Sequence, residues 1–259
     1  MQEELKVTII QADLAWENPE QNRANFSKKI NAIGDVIDLI ILPEMFSTGF
    51  TMHPEKVFET MQGDTVAWMK GTASKKKVAI TGSLVIKENG NYYNRLVFVH
   101  PEGTVETYDK RHTFTLAGED KVYASGNEKL IIDYKGWKLC PMICYDLRFP
   151  VWARNVENYD LLIYVANWPK PRVTAWNALL KARAIENMCY CIGVNRVGFD
   201  ANNYEYSGHS AVYDVLGTKI STITPGVEQM EIISLDKGHI NKYREKLQFL
   251  NDRDHFIIN

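Results

Sequence analysis

The feature that most constrains this chain is a series of short apolar runs rich in β-branched residues, several of them apolar on both faces. Val7 to Ile10, Ile37 to Leu42, Val78 to Ile86 and Tyr93 to Val99 come first; Leu130 to Ile132, Trp137 to Ile143, Leu161 to Val165 and Cys191 to Val194 follow. A strand with no polar face must be covered on both sides, so such runs belong inside a layered sheet. Helical patterns lie between some of them. Residues 19–33 set Phe26, Ile30 and Ile33 on one face, with Pro19 suited to a first helical turn. Residues 64–76 open on Asp64-Thr65, a capping signal, and carry Val66, Met69 and Ala73 on one stripe. Residues 173–190 turn Trp176, Leu179, Leu180, Ala184 and Met188 inward. Glu88-Asn89-Gly90-Asn91 and Pro101-Glu102-Gly103 read as hairpins, and Gly136 and Gly217 mark later turns. The whole order is mixed α/β. No Pro/Gly/Ser-rich linker, repeat or low-complexity segment interrupts it, so residues 1–259 read as one domain. The tail from about Lys242 holds Leu250, Phe256 and Ile257 without clear periodicity and suits a contact with a partner subunit.

Composition narrows the class. An apolar fraction of 45% with 24% charged residues is that of a globular protein. A net charge of -2 argues against nucleic acid or an anionic membrane as partner, and Lys75-Lys76-Lys77 reads as a solvated helix end. No apolar stretch approaches the ~18 residues of a membrane span. The N-terminus carries acids where a signal peptide carries bases, which points to the cytoplasm. Four cysteines, Cys140, Cys144, Cys189 and Cys191, are too few for a disulfide framework and fit thiols in a reducing compartment.

Three charged or nucleophilic side chains stand just beyond apolar strands, where sites in α/β sheets concentrate. Glu44 follows Asp38 to Leu42 and is flanked by Met45 and Phe46. A carboxylate among apolar side chains suits a general base, although a helix-cap or ion-pair role fits the same residues. Lys110 follows the strand-like Val105 to Tyr108; it suits stabilisation of an anion, or simply a solvated Lys-Arg pair. Cys144 breaks the run Lys138 to Ile143 ahead of Pro150, a strand–turn–helix in which helix-end amides and a nearby base would lower its pKa. A buried structural thiol is the alternative, and it suits Cys140 inside the strand. Zinc is disfavoured, because the cysteine spacings do not match C-x2–4-C knuckles. His112 and His209 lack the local setting of a Cys–His protease, and no nucleotide-binding glycine motif occurs.

Taken together, LPEMF at Glu44, YDKRH at Lys110 and CYDLRFP at Cys144 resemble the nitrilase superfamily. Thr81-Gly82-Ser83, Asn94, Asn167-Trp168-Pro169, Arg183 to Asn187 and Gly208-His209-Ser210 extend the resemblance over nearly the whole chain, which looks most like its omega-amidase branch. The resemblance implies an α-β-β-α four-layer sandwich of two mixed sheets and a Glu44–Lys110–Cys144 triad that hydrolyses a non-peptide C–N bond through a thioester. It implies Glu119 as a second glutamate in the pocket and the Tyr145 N–H as an oxyanion donor. The implied substrate is the side-chain amide of a small 2-oxo acid, with water as the second reactant and no cofactor or metal. Another amide, a nitrile or an N-carbamoyl compound would suit the same triad, and a non-catalytic binding protein could share the fold. Arg148 is the candidate for the substrate carboxylate, its alternative being an ion pair with Asp146. Trp168 is a candidate pocket wall; Phe50 and Phe114 fit pocket wall or core alike. The family resemblance further implies a homodimer or higher homo-oligomer.

Overall fold

A computed structural model of the chain describes residues 2–258. Its framework is a pair of mixed sheets built to one plan. In the first, β1 (Glu4–Gln11), β2 (Leu39–Ile41) and β3 (Ala79–Glu88) run parallel. Antiparallel β4 (Asn91–Val99) and β5 (Val105–Asp109) extend one edge, and β13 (Gln229–Asp236) pairs with β1 on the other. In the second, β7 (Trp137–Ile143), β8 (Leu161–Ala166) and β9 (Tyr190–Asn195) run parallel between antiparallel edges, β6 (Ile132–Tyr134) and β12 (Ala211–Tyr213). A separate hairpin joins β10 (Val197–Phe199) to β11 (Glu205–Ser207).

The two-residue period of the strands sorts their side chains into layers. Val7, Ile9, Leu39, Ile41, Leu96 and Phe98 face inward and share a core with Leu139, Met142 and Ile163 of the second sheet. Their alternates Ile10, Ile40, Leu42 and Val97 face outward onto α1 (Pro19–Asn31) and α2 (Asp64–Lys76), where Phe26, Ile30, Val66, Met69 and Ala73 cover them. On the far side α3 (Pro150–Ala153) and α4 (Val173–Asn187) cover the second sheet, α4 through Trp176, Leu180 and Ala184. The result is the expected α-β-β-α sandwich of two mixed sheets. Trp176→Ala removes the largest of these covering side chains, along with its Nε1 bond to the His209 carbonyl at 2.9 Å. The expected cost is about 3–5 kcal/mol, read as a lower urea midpoint at unchanged slope.

Local details follow the sequence closely, with three departures. Asn89 and Gly90 both take positive φ in the β3–β4 hairpin, as a tight two-residue turn requires. The first turn of α2 is not capped by Asp64; Gly63 is the flanking residue, and the Glu59 carboxylate accepts the Thr65 N–H at 2.7 Å. Helix α4 stops at Asn187 rather than running to residue 190, because Met188 turns left-handed at φ 47° and starts the chain toward β9. The tail is partly regular: α5 (Lys237–Leu247) starts on an Asp236 cap to the Gly238 N–H, and Leu250 is buried beyond it. No helix of the described residues is long and apolar enough to cross a membrane.

Candidate active site

Each of the three predicted residues lies just past the end of a strand, and the strands bring them to one end of the sandwich. Glu44 follows β2 and is fully buried. The chain turns sharply there: Met45 adopts φ 43°, its N–H held by the Ser83 hydroxyl at 2.8 Å. Phe46 then packs against β3 at Gly82, where an added Cβ would lie 2.7 Å from its ring, so only glycine admits it. Lys110 continues β5, its N–H bonded to the Asn94 carbonyl at 3.0 Å. Cys144 breaks from β7 at φ 44° and opens a turn of tight helix ahead of Pro150. A non-glycine residue held left-handed costs on the order of 1–3 kcal/mol, strain that clusters at active sites.

The side chains converge on the Lys110 ammonium, which is itself buried. It donates to Glu44 Oε1 at 2.9 Å and to Glu119 Oε1 and Oε2 at 3.1 and 2.9 Å. Asn94 Nδ2 bridges the same two carboxylates at 2.8 and 3.2 Å. The other oxygen of Glu44 accepts the Asn167 N–H at 2.7 Å, and the Asn167 amide returns a bond to the Glu44 carbonyl at 2.6 Å. Glu44 is thus fixed at both oxygens and at its own backbone. Burial alone would lower the lysine pKa, but Glu119 and Glu44 beside it hold it well above the usual range. Burial raises Glu119, against the pull of Lys110.

Cys144 reverses one expectation. Its thiol pKa is not lowered; burial and the adjacent Glu44 carboxylate push it well up, against the smaller opposing pull of Lys110. The Cys144 thiol thus lies beside the Glu44 carboxyl group. Two residues on, buried Asp146 pins the turn. It accepts from the Ile143 N–H at 3.0 Å, the Tyr108 hydroxyl at 2.8 Å, the His112 N–H at 3.1 Å and His112 Nδ1 at 2.8 Å. Tyr108 and His112 flank Lys110, so one carboxylate ties the lysine segment to the cysteine turn. Cys140, Cys189 and Cys191 are buried thiols of the second sheet and its entry, all pushed up by burial.

A cavity of about 410 Å³ opens over Cys144, lined among others by Lys110, Tyr145, Arg148, Asn167 and Trp168. Glu119 lies behind Lys110, in the loop after β5. Arg148 does not pair with Asp146, which is taken by Tyr108 and His112; its guanidinium sits 4.9 Å from the centre of the Trp168 ring. Trp168 is held by its N–H to Asn195 Oδ1 at 2.8 Å and forms cavity wall rather than plain core. Phe50 and Phe114 line the same space. Neither His112 nor His209 is among the lining residues.

Three contributors were given no role in the site from sequence. Asn94 and Asn167 belong to the matching segments, but their contact with Glu44 depends on β4 and β8 reaching one end of the sandwich. Arg172 lines the cavity with its guanidinium 5.0 Å from the centre of the Phe114 ring. The only hint in sequence was its place three residues after Pro169, beyond a strand end.

A family model for carbon-nitrogen hydrolases matches residues 6–245. The omega-amidase YafV of Escherichia coli strain K12 is 42% identical over 254 residues, 98% of each chain. The 2-oxoglutaramate amidase of Bacillus subtilis strain 168 is 32% identical over 216 residues, 82% of this chain and 83% of that protein. Among solved structures, a CN-hydrolase superfamily protein from Xanthomonas campestris with an arsenic adduct in its active site superimposes with a TM-score of 0.97. It is 38% identical and covers 100% of both chains. The residue pattern, the sandwich and these relatives agree: the chain belongs to the carbon–nitrogen hydrolase family, enzymes that act on C–N bonds other than peptide bonds.

Proposed function

We propose that the chain hydrolyses the side-chain amide of a small 2-oxo acid, of the 2-oxoglutaramate or 2-oxosuccinamate type, through a thioester on Cys144. The observation that carries the reading is the Lys110 ammonium bonded to both Glu44 and Glu119 beside the Cys144 thiol, at the floor of a cavity that also holds arginine. Glu44 takes the thiol proton as the sulfur attacks the amide carbon, so no thiolate need be present at rest. Lys110 and the Tyr145 N–H hold the tetrahedral oxyanion. Glu44 then returns the proton to the nitrogen, ammonia leaves, and the acyl group stays on sulfur as a thioester. Water, deprotonated by the same glutamate, attacks that thioester; the acid departs and the thiol is restored. Glu119 keeps Lys110 charged and aimed. Arg148, resting on Trp168, takes the substrate carboxylate.

The names of the relatives support the substrate class, and the test is a panel. Ammonia release from 2-oxoglutaramate and 2-oxosuccinamate is expected to exceed that from an aliphatic amide, a nitrile and an N-carbamoyl amine. A clear preference for the carbamoyl compound would overturn the choice.

The chain is read as one domain, since its inner core draws residues from Leu5 to Ile240. It is further read as a cytoplasmic homo-oligomer of at least two subunits, with exposed Phe249, Phe256 and Ile257 of the tail at the contact. Light scattering that returned a stable monomer would remove the oligomer.

A further inference from the structure

On the amidase reading above, a second arginine in the cavity bears on the substrate's head group. Arg148 and Arg172 both line the cavity with Cys144, and among the described residues both lie on aromatic faces rather than on carboxylates. The cavity wall also contains Asp200, whose carboxylate is held by neutral donors rather than by either arginine. Oδ1 accepts the N–H groups of Asn202 and Tyr204 at 2.8 and 3.0 Å, and Oδ2 accepts the Tyr206 hydroxyl at 2.9 Å. Lys110 is committed to Glu44 and Glu119. Two uncommitted cations therefore face the space beyond the nucleophile.

Aromatic rings support both members of the pair. Arg148 lies over Trp168, whose indole Nε1 donates to the Arg172 carbonyl at 2.8 Å. Arg172 lies over Phe114, whose ring meets Tyr145 edge-on at 4.9 Å, next to Cys144. The Phe114 N–H is in turn bound by the Glu119 carboxylate at 2.5 Å. A guanidinium held over an aromatic face, with no carboxylate partner, keeps N–H groups free for planar oxygen acceptors. A carboxylate with an adjacent keto oxygen offers such acceptors. An ammonium in place of the keto group offers none and places another positive charge beside the two guanidinium groups.

We infer that Arg172 is a specificity-determining residue, which with Arg148 makes the cavity accept a 2-oxo acid amide and refuse the 2-amino acid amide of the same length. The test is steady-state kinetics of the wild type, R172Q and R172K on 2-oxoglutaramate, L-glutamine and an uncharged aliphatic amide of equal length. L-Glutamine is followed as competitive inhibition where its turnover is undetectable. R172Q is expected to raise KM for 2-oxoglutaramate about 10- to 100-fold, the range of one charge-assisted hydrogen bond, with kcat little changed. Its preference over L-glutamine should shrink by a similar factor, its kcat/KM on the uncharged amide should hold, and R172K should recover part of the loss. A wild-type preference that survives R172Q, or an equal loss on the uncharged amide, overturns the inference alone. A wild type with no preference for the 2-oxo acid amide overturns the substrate reading beneath it.

Discussion

Cys144→Ala is expected to abolish ammonia release from 2-oxoglutaramate, a loss on the order of 10^5-fold or more in kcat, while the protein stays folded. Cys144 is the cysteine that lines the cavity; the other three are buried in the second sheet or at its entry, apart from it. The substitution removes one sulfur and leaves the φ of 44° at that position as strained as before, so circular dichroism and the unfolding midpoint should barely move. Cys144→Gly separates the two roles of the residue. Glycine populates the left-handed region freely, so this variant should be as inactive as the alanine one yet no less stable, despite its greater unfolded-state entropy. An alanine variant that kept measurable turnover by the same kinetics would exclude Cys144 as the nucleophile. The raised thiol pKa adds a pH signature. Iodoacetamide should alkylate Cys144 slowly at neutral pH and faster as pH rises past the ordinary thiol range, so rapid labelling is not expected of this thiol.

That reversal shows where the sequence was legible and where it stopped. Buried strands announce themselves by apolar runs, and helices α1, α2 and α4 by their stripes, because local periodicity encodes which face is covered. The strand-end positions of Glu44, Lys110 and Cys144 followed from the same signal. What no local pattern carries is the sum of fields at a point. Whether a helix end lowers the Cys144 pKa or Glu44 raises it depends on two strands from different sheets meeting. Arg172 escaped notice for a related reason: a Lys-Pro-Arg stretch in a loop looks solvated until Phe114, from a loop 58 positions earlier (172 less 114), is seen beneath it. Asp146 could equally have served Arg148 by sequence distance, and only the fold gives it to Tyr108 and His112. Helix α5 was hidden because its exposed faces are charged and Ile240 alone of its residues is buried, leaving no stripe to read.

Lys110→Met is the most severe test of the buried charge cluster, because it removes the one cation from between two carboxylates. The ammonium holds three bonds of 2.9–3.1 Å to Glu44 and Glu119, all out of water. Losing one partner of a buried ion pair costs about 3–5 kcal/mol, since the remaining charge has neither solvent nor counter-ion. Asn94 still bridges the two acids, but one amide cannot neutralise two negative charges 2.8 and 3.2 Å from it. The pair then lowers its energy by binding a proton, as neighbouring carboxylates do. Wild-type Glu119 already leans that way, its pKa raised by burial. The sign follows from proton counting. A carboxyl whose folded pKa lies above its unfolded value binds more protons when folded, so stability is retained below about pH 4 and lost as pH rises toward the folded pKa. Denaturant unfolding of Lys110→Met should therefore show a larger deficit against wild type at pH 8 than at pH 5. Adding Glu119→Gln to the same chain removes one of the opposed charges and should recover much of the stability at pH 8. It should recover none of the turnover, because the cation proposed to face the oxyanion is still missing, a loss of about 10^2–10^3-fold or more in kcat. A deficit independent of pH would mean that Lys110 supports the fold through its packing, and equal rescue of activity and stability by Glu119→Gln would deny the lysine any part in the chemistry.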